Sequence, residues 1–188
     1  MEKVFIIHGF KGEPNGGWKP WLMGELDRRK IYACALPMPN PDEPEKDAWV
    51  KTITDAVGDP NEEIFLIGHS LGVPAILRYL ETLSSGVKIG GAVLVSGPVF
   101  KKENGGNKYI SVFLEELFNF EHIKKVCKNF AVIHGDNDEA VPFSDAEYLS
   151  KNLSCNLIAI PNGGHLGGHE GFHKLPQVLE SLEKMMKI

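Results

Sequence analysis

The sequence predicts a doubly wound α/β fold built on a six-stranded, mainly parallel sheet. Six short apolar, β-rich runs recur along the chain, and segments with helical character separate them. The runs do not alternate polar with apolar residues, as expected of central strands covered by helices on both faces. Strand and helix following one another in this way give an α/β layer architecture. In order, VFII (4 to 7) is followed by a helix over 18 to 29 and IYACAL (31 to 36) by one over 45 to 57. IFLI (64 to 67) precedes a helix over 71 to 83, and AVLV (92 to 95) one over 109 to 119. FAVI (130 to 133) leads to a helix over 143 to 152, and NLIAI (156 to 160) to the last over 175 to 187. That last segment carries Leu175, Leu179, Leu182 and Met186 at the spacing of one helix face.

The 188 residues, 43% of them hydrophobic, suffice for one core, so a single domain over 1 to 188 is expected. A net charge of −5 is spread along the chain and supplies no basic face, which argues against nucleic acid as a partner. Cys34, Cys127 and Cys155 form neither an even set nor a CxxC pair, so a reducing compartment is expected. The opening MEKVFIIHGF has only four apolar residues in a row, too few for a signal-peptide core or a membrane span. It reads as a first strand, and the protein as cytoplasmic.

The chemistry is concentrated in FLIGHSLG (65 to 72). A strand ending at Gly68 and a helix beginning just past Ser70 require a very tight turn. Gly68 and Gly72, two residues to either side, give the crowded positions the smallest residue, and the serine hydroxyl is pushed out above the sheet. The helix start leaves N–H groups unpaired, among them that of Leu71, which is placed to bind an oxyanion. A serine needs a base and an orienting acid to become a nucleophile. HGDNDEAVPF (134 to 143) follows the fifth strand and NGGHLGGHEGF (162 to 172) the sixth. The chain order Ser70, Asp138, His165 is therefore that of nucleophile, acid and histidine in α/β hydrolases. Within the acid loop, the G-x-x-D-x-x-V-P spacing selects Asp138 over Asp136, which is left a turn-forming role. His165, His169 and His173 recur every four residues, as metal ligands on one helix face would, but the interspersed glycines argue against a helix there. No metal and no cofactor is expected. His8, His69 and His134 read as packing or loop hydrogen-bonding residues. A second oxyanion donor is expected from Phe10 N–H in the loop after the first strand.

Taken together, HGF, GGWKPWL, ALPMPNP, GHSLGVPAILRYLE, LFNFEHIKK, HGDNDEAVPF and NGGHLGGHEGFHKLP resemble the small serine hydrolases of the retinoblastoma-binding-protein-nine type and their bacterial relatives. The resemblance covers nearly the whole chain. It implies a reduced α/β-hydrolase fold with strand order 2-1-3-4-5-6 and little or no cap, and it implies Ser70, Asp138 and His165 as the triad.

The function expected is hydrolysis of a carboxylic ester, or of an amide or thioester, on a small acyl substrate through an acyl-enzyme. Phe113, Leu117 and Trp18 are candidate pocket residues, and an apolar pocket without a large lid favours short acyl groups. Arg78 reads as a surface or salt-bridge residue. A hydrolase-fold module acting mainly through protein binding stands as the alternative, with no particular protein partner indicated.

Overall fold

A computed structural model describes residues 1–102 and 107–188 of the chain. Its centre is one sheet of six strands: β1 (Lys3–Ile7), β2 (Tyr32–Ala35), β3 (Ile64–His69), β4 (Gly91–Val95), β5 (Phe130–Gly135) and β6 (Asn156–Ile160). Every neighbouring pair is parallel, and the order is β2-β1-β3-β4-β5-β6. All six strands therefore end at the same edge of the sheet, which gathers the loops after β1, β3, β5 and β6. The order reverses at β1, whose Ile7 lies beside Gly68 of β3. Such a switch point opens a crevice at the strand C-termini.

Alternate residues of each strand feed opposite cores. Phe5, Ile7, Leu66, Leu94 and Val132 face one layer, while Val4, Ile6, Ile67, Val93 and Ile133 face the other. The first layer holds α2 (Lys46–Val57), α3 (Gly72–Thr82), α5 (Phe120–Val126) and α6 (Phe143–Leu153); the second holds α1 (Lys19–Arg28) and α7 (Pro176–Met186). Helix α2 meets the sheet through Trp49, Ile53 and Val57, one residue per turn. Helix α3 is buried along most of its length, and Pro74 sits in its first turn, where a missing N–H costs no intrahelical bond.

The helix expected over 109 to 119 is broken. A short helix α4 (Lys108–Ser111) runs into a 3₁₀ turn, Val112–Leu114, and α5 starts separately at Phe120. The cause is tertiary. Arg78 donates from Nε to Phe113 O at 2.9 Å and from its terminal nitrogen to Glu116 O, and Glu81 Oε1 accepts from Asn119 N at 2.6 Å. Backbone groups that a continuous helix would pair internally are captured by α3. Asn119 then caps α5 by accepting from His122 N, the usual role of a short polar side chain at a helix start. Arg78 is a salt-bridge residue, paired with Glu81 at 2.8 Å, but only a tenth of its side chain is exposed, and its guanidinium lies 4.1 Å from the Phe118 ring centre.

Candidate active site

Ser70 follows β3 at the crevice. Its φ of +55° lies in the left-handed region that non-glycine residues seldom occupy. Two bonds hold it there: Ser70 N donates to Val95 O at 2.9 Å, and Ser70 O accepts from Val73 N at 2.9 Å. The glycines are required by contact. A Cβ at Gly68 would lie 2.8 Å from the Gly72 backbone, and one at Gly72 would lie 2.2 Å from Ile7 O. A third glycine belongs to the same turn, since a Cβ at Gly9 would stand 2.8 Å from Ser70 Cβ. The loop after β1 thus touches the serine directly.

That loop is shaped by His8, whose Nδ1–H donates to Gly9 O at 2.8 Å while Nε2 accepts from Met38 N at 3.4 Å. Lys11 N and Gly12 N are engaged by Pro41 O and Gly9 O. Among the described residues, Phe10 N and Leu71 N have no such backbone acceptor, which leaves both free for a ligand.

His165 and Asp138 are brought together from the loops after β6 and β5. His165 Nδ1 donates to Asp138 Oδ2 at 2.7 Å, and both Ser70 and His165 line the same cavity. Asp138 Oδ1 accepts from Ala140 N at 2.8 Å and Val141 N at 2.9 Å. Burial works against its charge, but hydrogen bonds from His134, His165 and Val141 N outweigh it and hold the carboxyl well below the usual carboxylate range. Asp136 has a different use: its Oδ1 accepts from Asn162 N at 2.8 Å.

Two residues of the site carry no motif of their own. His134 is fully buried, with Nε2 at 3.0 Å from Val141 O and 3.3 Å from Asp138 Oδ2, so Asp138 faces two imidazoles. Glu170 accepts from His165 N through Oε1 at 2.8 Å and from Gly167 N through Oε2 at 2.9 Å, which ties down the histidine loop. The acidic residue within the glycine run was the available signal for Glu170. For His134 the signal was its place at the end of β5, four residues before Asp138. His169 lies in a 3₁₀ turn, Gly168–Glu170, so His165, His169 and His173 do not share a helix face.

The three expected pocket residues are placed elsewhere. Phe113 is fully buried and packs on Trp49, with ring centres 5.8 Å apart. Leu117 is 80% exposed, carried outward once the 109 to 119 segment breaks. Trp18 is buried edge-on against His69, and its indole N–H donates to Leu166 O at 3.1 Å. It braces the site from behind. The cavity that Ser70 and His165 do open into holds about 290 Å³, with apolar walls from Phe100, Ile110, Leu114, Val141 and Pro142. On the other side of the same pair lies a polar, glycine-rich cleft of about 700 Å³.

His69, inside the turn, donates from Nε2 to His165 O at 2.9 Å. Its pKa is pushed down to about 3, by burial first and by neighbouring His165 second. An unfolded histidine binds its proton near pH 6.5, so a neutral His69 adds stability that is complete above that pH and drains away as pH falls toward 3. His69→Gln, which keeps a donor for His165 O, is expected to flatten this dependence. Urea midpoints at pH 7 and pH 4.5 check it; equal losses in parent and variant would discard the assignment.

An open parallel sheet in this order, with a serine on a sharp turn after β3, defines an α/β-hydrolase fold. The chain belongs to the serine hydrolase family, whose model, described as "Serine hydrolase", matches residues 4–184. It is 36% identical to YdeN of Bacillus subtilis (strain 168) over 181 residues, 96% of this chain and 94% of that protein. It is 26% identical to serine hydrolase RBBP9 of Rattus norvegicus over 184 residues, 96% and 95% of the two chains. The crystal structure of the ydeN gene product from B. subtilis superposes with a TM-score of 0.94 at 34% identity, covering 100% of both chains. Est1E from Butyrivibrio proteoclasticus, with ferulic acid bound, shares the fold at a TM-score of 0.72 and 19% identity, over 99% of this chain and 88% of that one.

Proposed function

We propose that this serine hydrolase cleaves carboxylic esters of small acyl substrates, with Ser70 as nucleophile, His165 as general base and Asp138 as its orienting acid. The observation that carries the reading is the 2.7 Å bond from His165 Nδ1 to a buried, charged Asp138, beside a serine held at positive φ. His165 Nε2 takes the Ser70 proton as the hydroxyl attacks the carbonyl, and Asp138 stabilises the imidazolium. Phe10 and Leu71 amides receive the oxyanion. Return of the proton to the leaving alcohol gives the acyl-enzyme, and water repeats the sequence. No step calls for a cofactor. Amides and thioesters would enter the same machinery, because specificity resides in the loops. The modest apolar cavity favours short acyl groups. Cys34, Cys127 and Cys155 are unpaired, in keeping with a reducing, cytoplasmic setting. Among the described residues no helix is long and apolar enough to cross a membrane.

Intact-mass measurement after fluorophosphonate treatment tests the nucleophile. Stoichiometric labelling of the parent with none of Ser70→Ala is expected. An unlabelled but cooperatively folding parent would remove the hydrolytic reading and favour a binding role.

A further inference from the structure

Lys19 is the unexplained charge of this molecule. It stands at the start of α1, is only 6% exposed, and lines the glycine-rich cleft that Ser70 and His165 share. Among the described residues its ammonium has no direct hydrogen-bond or ion-pair partner, and Glu13 acts on it only from farther off. The tip is not sealed off, since the buried polar atoms without partners are Ser96 Oγ and His134 Nδ1, so it keeps contact with the cleft. Its Nζ lies 5.9 Å from the Trp18 ring centre. A side chain at Gly16 would begin 3.6 Å from Nζ and 3.3 Å from Glu13 Cγ, so the ammonium packs beside the Gly16 turn on the same side as Glu13. A lysine held this deeply, with its charge turned into a cleft and no direct counter-charge, is a costly arrangement that an anionic ligand would relieve. The charge is felt at the centre of the site, since it disfavours protonation of both His8 and His69. Lys11 and Glu13 also line the cleft, so its walls carry one net positive charge before the rim histidines His169 and His173 are counted.

We infer that the substrate carries a carboxylate on the half lying in the glycine-rich cleft, and that Lys19 binds it. The inference rests on the hydrolytic reading above. An acyl substrate extends to both sides of its scissile bond, and the two sides of Ser70 differ in character. One cavity has mainly apolar walls, with the exposed Lys101 and Lys102 and the carboxyl of Asp145 also on its lining, whereas the other sets the ammonium of the largely buried Lys19 among polar backbone. A single net charge matches a carboxylate better than a dianionic phosphate. The ammonium supplies the charge-assisted bond that fixes the substrate's orientation and, with it, which half occupies the apolar cavity.

The test uses matched esters with a free carboxylate, or its neutral carboxamide, on the alcohol half in one pair and on the acyl half in the other. In the parent, kcat/KM for one carboxylate ester is expected to exceed that of its carboxamide by about tenfold or more, the range of a bond to a charged group. In Lys19→Met, which keeps an unbranched stem against Trp18, that ratio should fall to within about threefold of unity. A purely structural Lys19 would lower both esters of a pair together and leave the ratio unchanged, which overturns the inference. So does a parent with no carboxylate preference in either pair. Protection of the parent needs no variant: butyrate should slow fluorophosphonate labelling of Ser70 and butyramide should not, and equal effects count against the site. Labelling in the same preparations separates the two readings. A labelled parent without the preference loses only Lys19, whereas an unlabelled parent loses the hydrolase reading itself.

Discussion

Asp138→Asn is expected to lower kcat on a short acyl ester by about 10³–10⁴-fold, while Asp136→Asn stays within about tenfold of the parent. The difference follows from the donors around each carboxyl. Asp138 Oδ1 is claimed by Ala140 N and Val141 N, so an asparagine there must turn its carbonyl toward those amides. Its NH₂ group then occupies the Oδ2 position and faces His165 Nδ1, 2.7 Å away in the parent. Two donors cannot share a bond. His165 must give up its Nδ1 proton and hold one at Nε2, where it no longer serves as a base for Ser70. His134 Nε2, 3.3 Å from the same oxygen, meets the same NH₂ and blocks an easy rearrangement. The side chain introduced by Asp136→Asn, by contrast, can still accept from Asn162 N through its amide oxygen. Steady-state kinetics on the two variants decide the matter, and a larger loss at position 136 would transfer the acid role there.

Gly72→Ala should destabilise the fold by about 3 kcal/mol or more, the upper range of overpacking in a dense core. The added Cβ would meet Ile7 O at 2.2 Å and Ile7 C at 2.8 Å, and neither is the end of a flexible side chain. Relief would require β1 to part from β3 at the register Ile7–Gly68, beneath Ser70. Gly24 is the control. It lies within α1, with nothing within 4 Å of an added Cβ, so Gly24→Ala should gain about 0.5–1 kcal/mol from helix propensity alone. Urea unfolding midpoints of the three proteins measure both effects, and a stable Gly72→Ala would refute the contact argument.

What was legible in the sequence is what local physics decides. Buried parallel strands have a continuous apolar signature, and all six were placed within a residue or two. The turn at Ser70 was readable because only glycine fits beside it, and the meeting of Asp138 with His165 because each follows a strand in a recognisable loop. The misplacements are tertiary. Nothing local in SVFLEELFNF announces that Arg78, 35 to 38 residues earlier, will take the carbonyls of Phe113 and Glu116. With that capture the helix broke, Phe113 went to the core, and Leu117 went to solvent. Trp18 was read as a pocket wall because aromatics near a site look alike in sequence, whether they face a substrate or brace a histidine. His134 and Glu170 left only weak positional signals, and the burial of Lys19 left none, because each is fixed by the tertiary fold.

The anchoring of the histidine loop bears on how such a protein can change over evolutionary time. Asp136 and Asn137, from the loop after β5, hold Asn162 N and Gly164 N of the loop after β6, and Asp138 holds His165 itself. Three successive residues of one loop thus set the position of the other. The two loops act as one unit, so a substitution in either that breaks one of these bonds displaces the other. The connection between β4 and β5, which supplies Phe100, Ile110 and Leu114 to the apolar cavity, is held by a separate set of partners, Arg78 and Glu81 of α3 and Asp145 of α6, so a change there leaves the histidine loop in place.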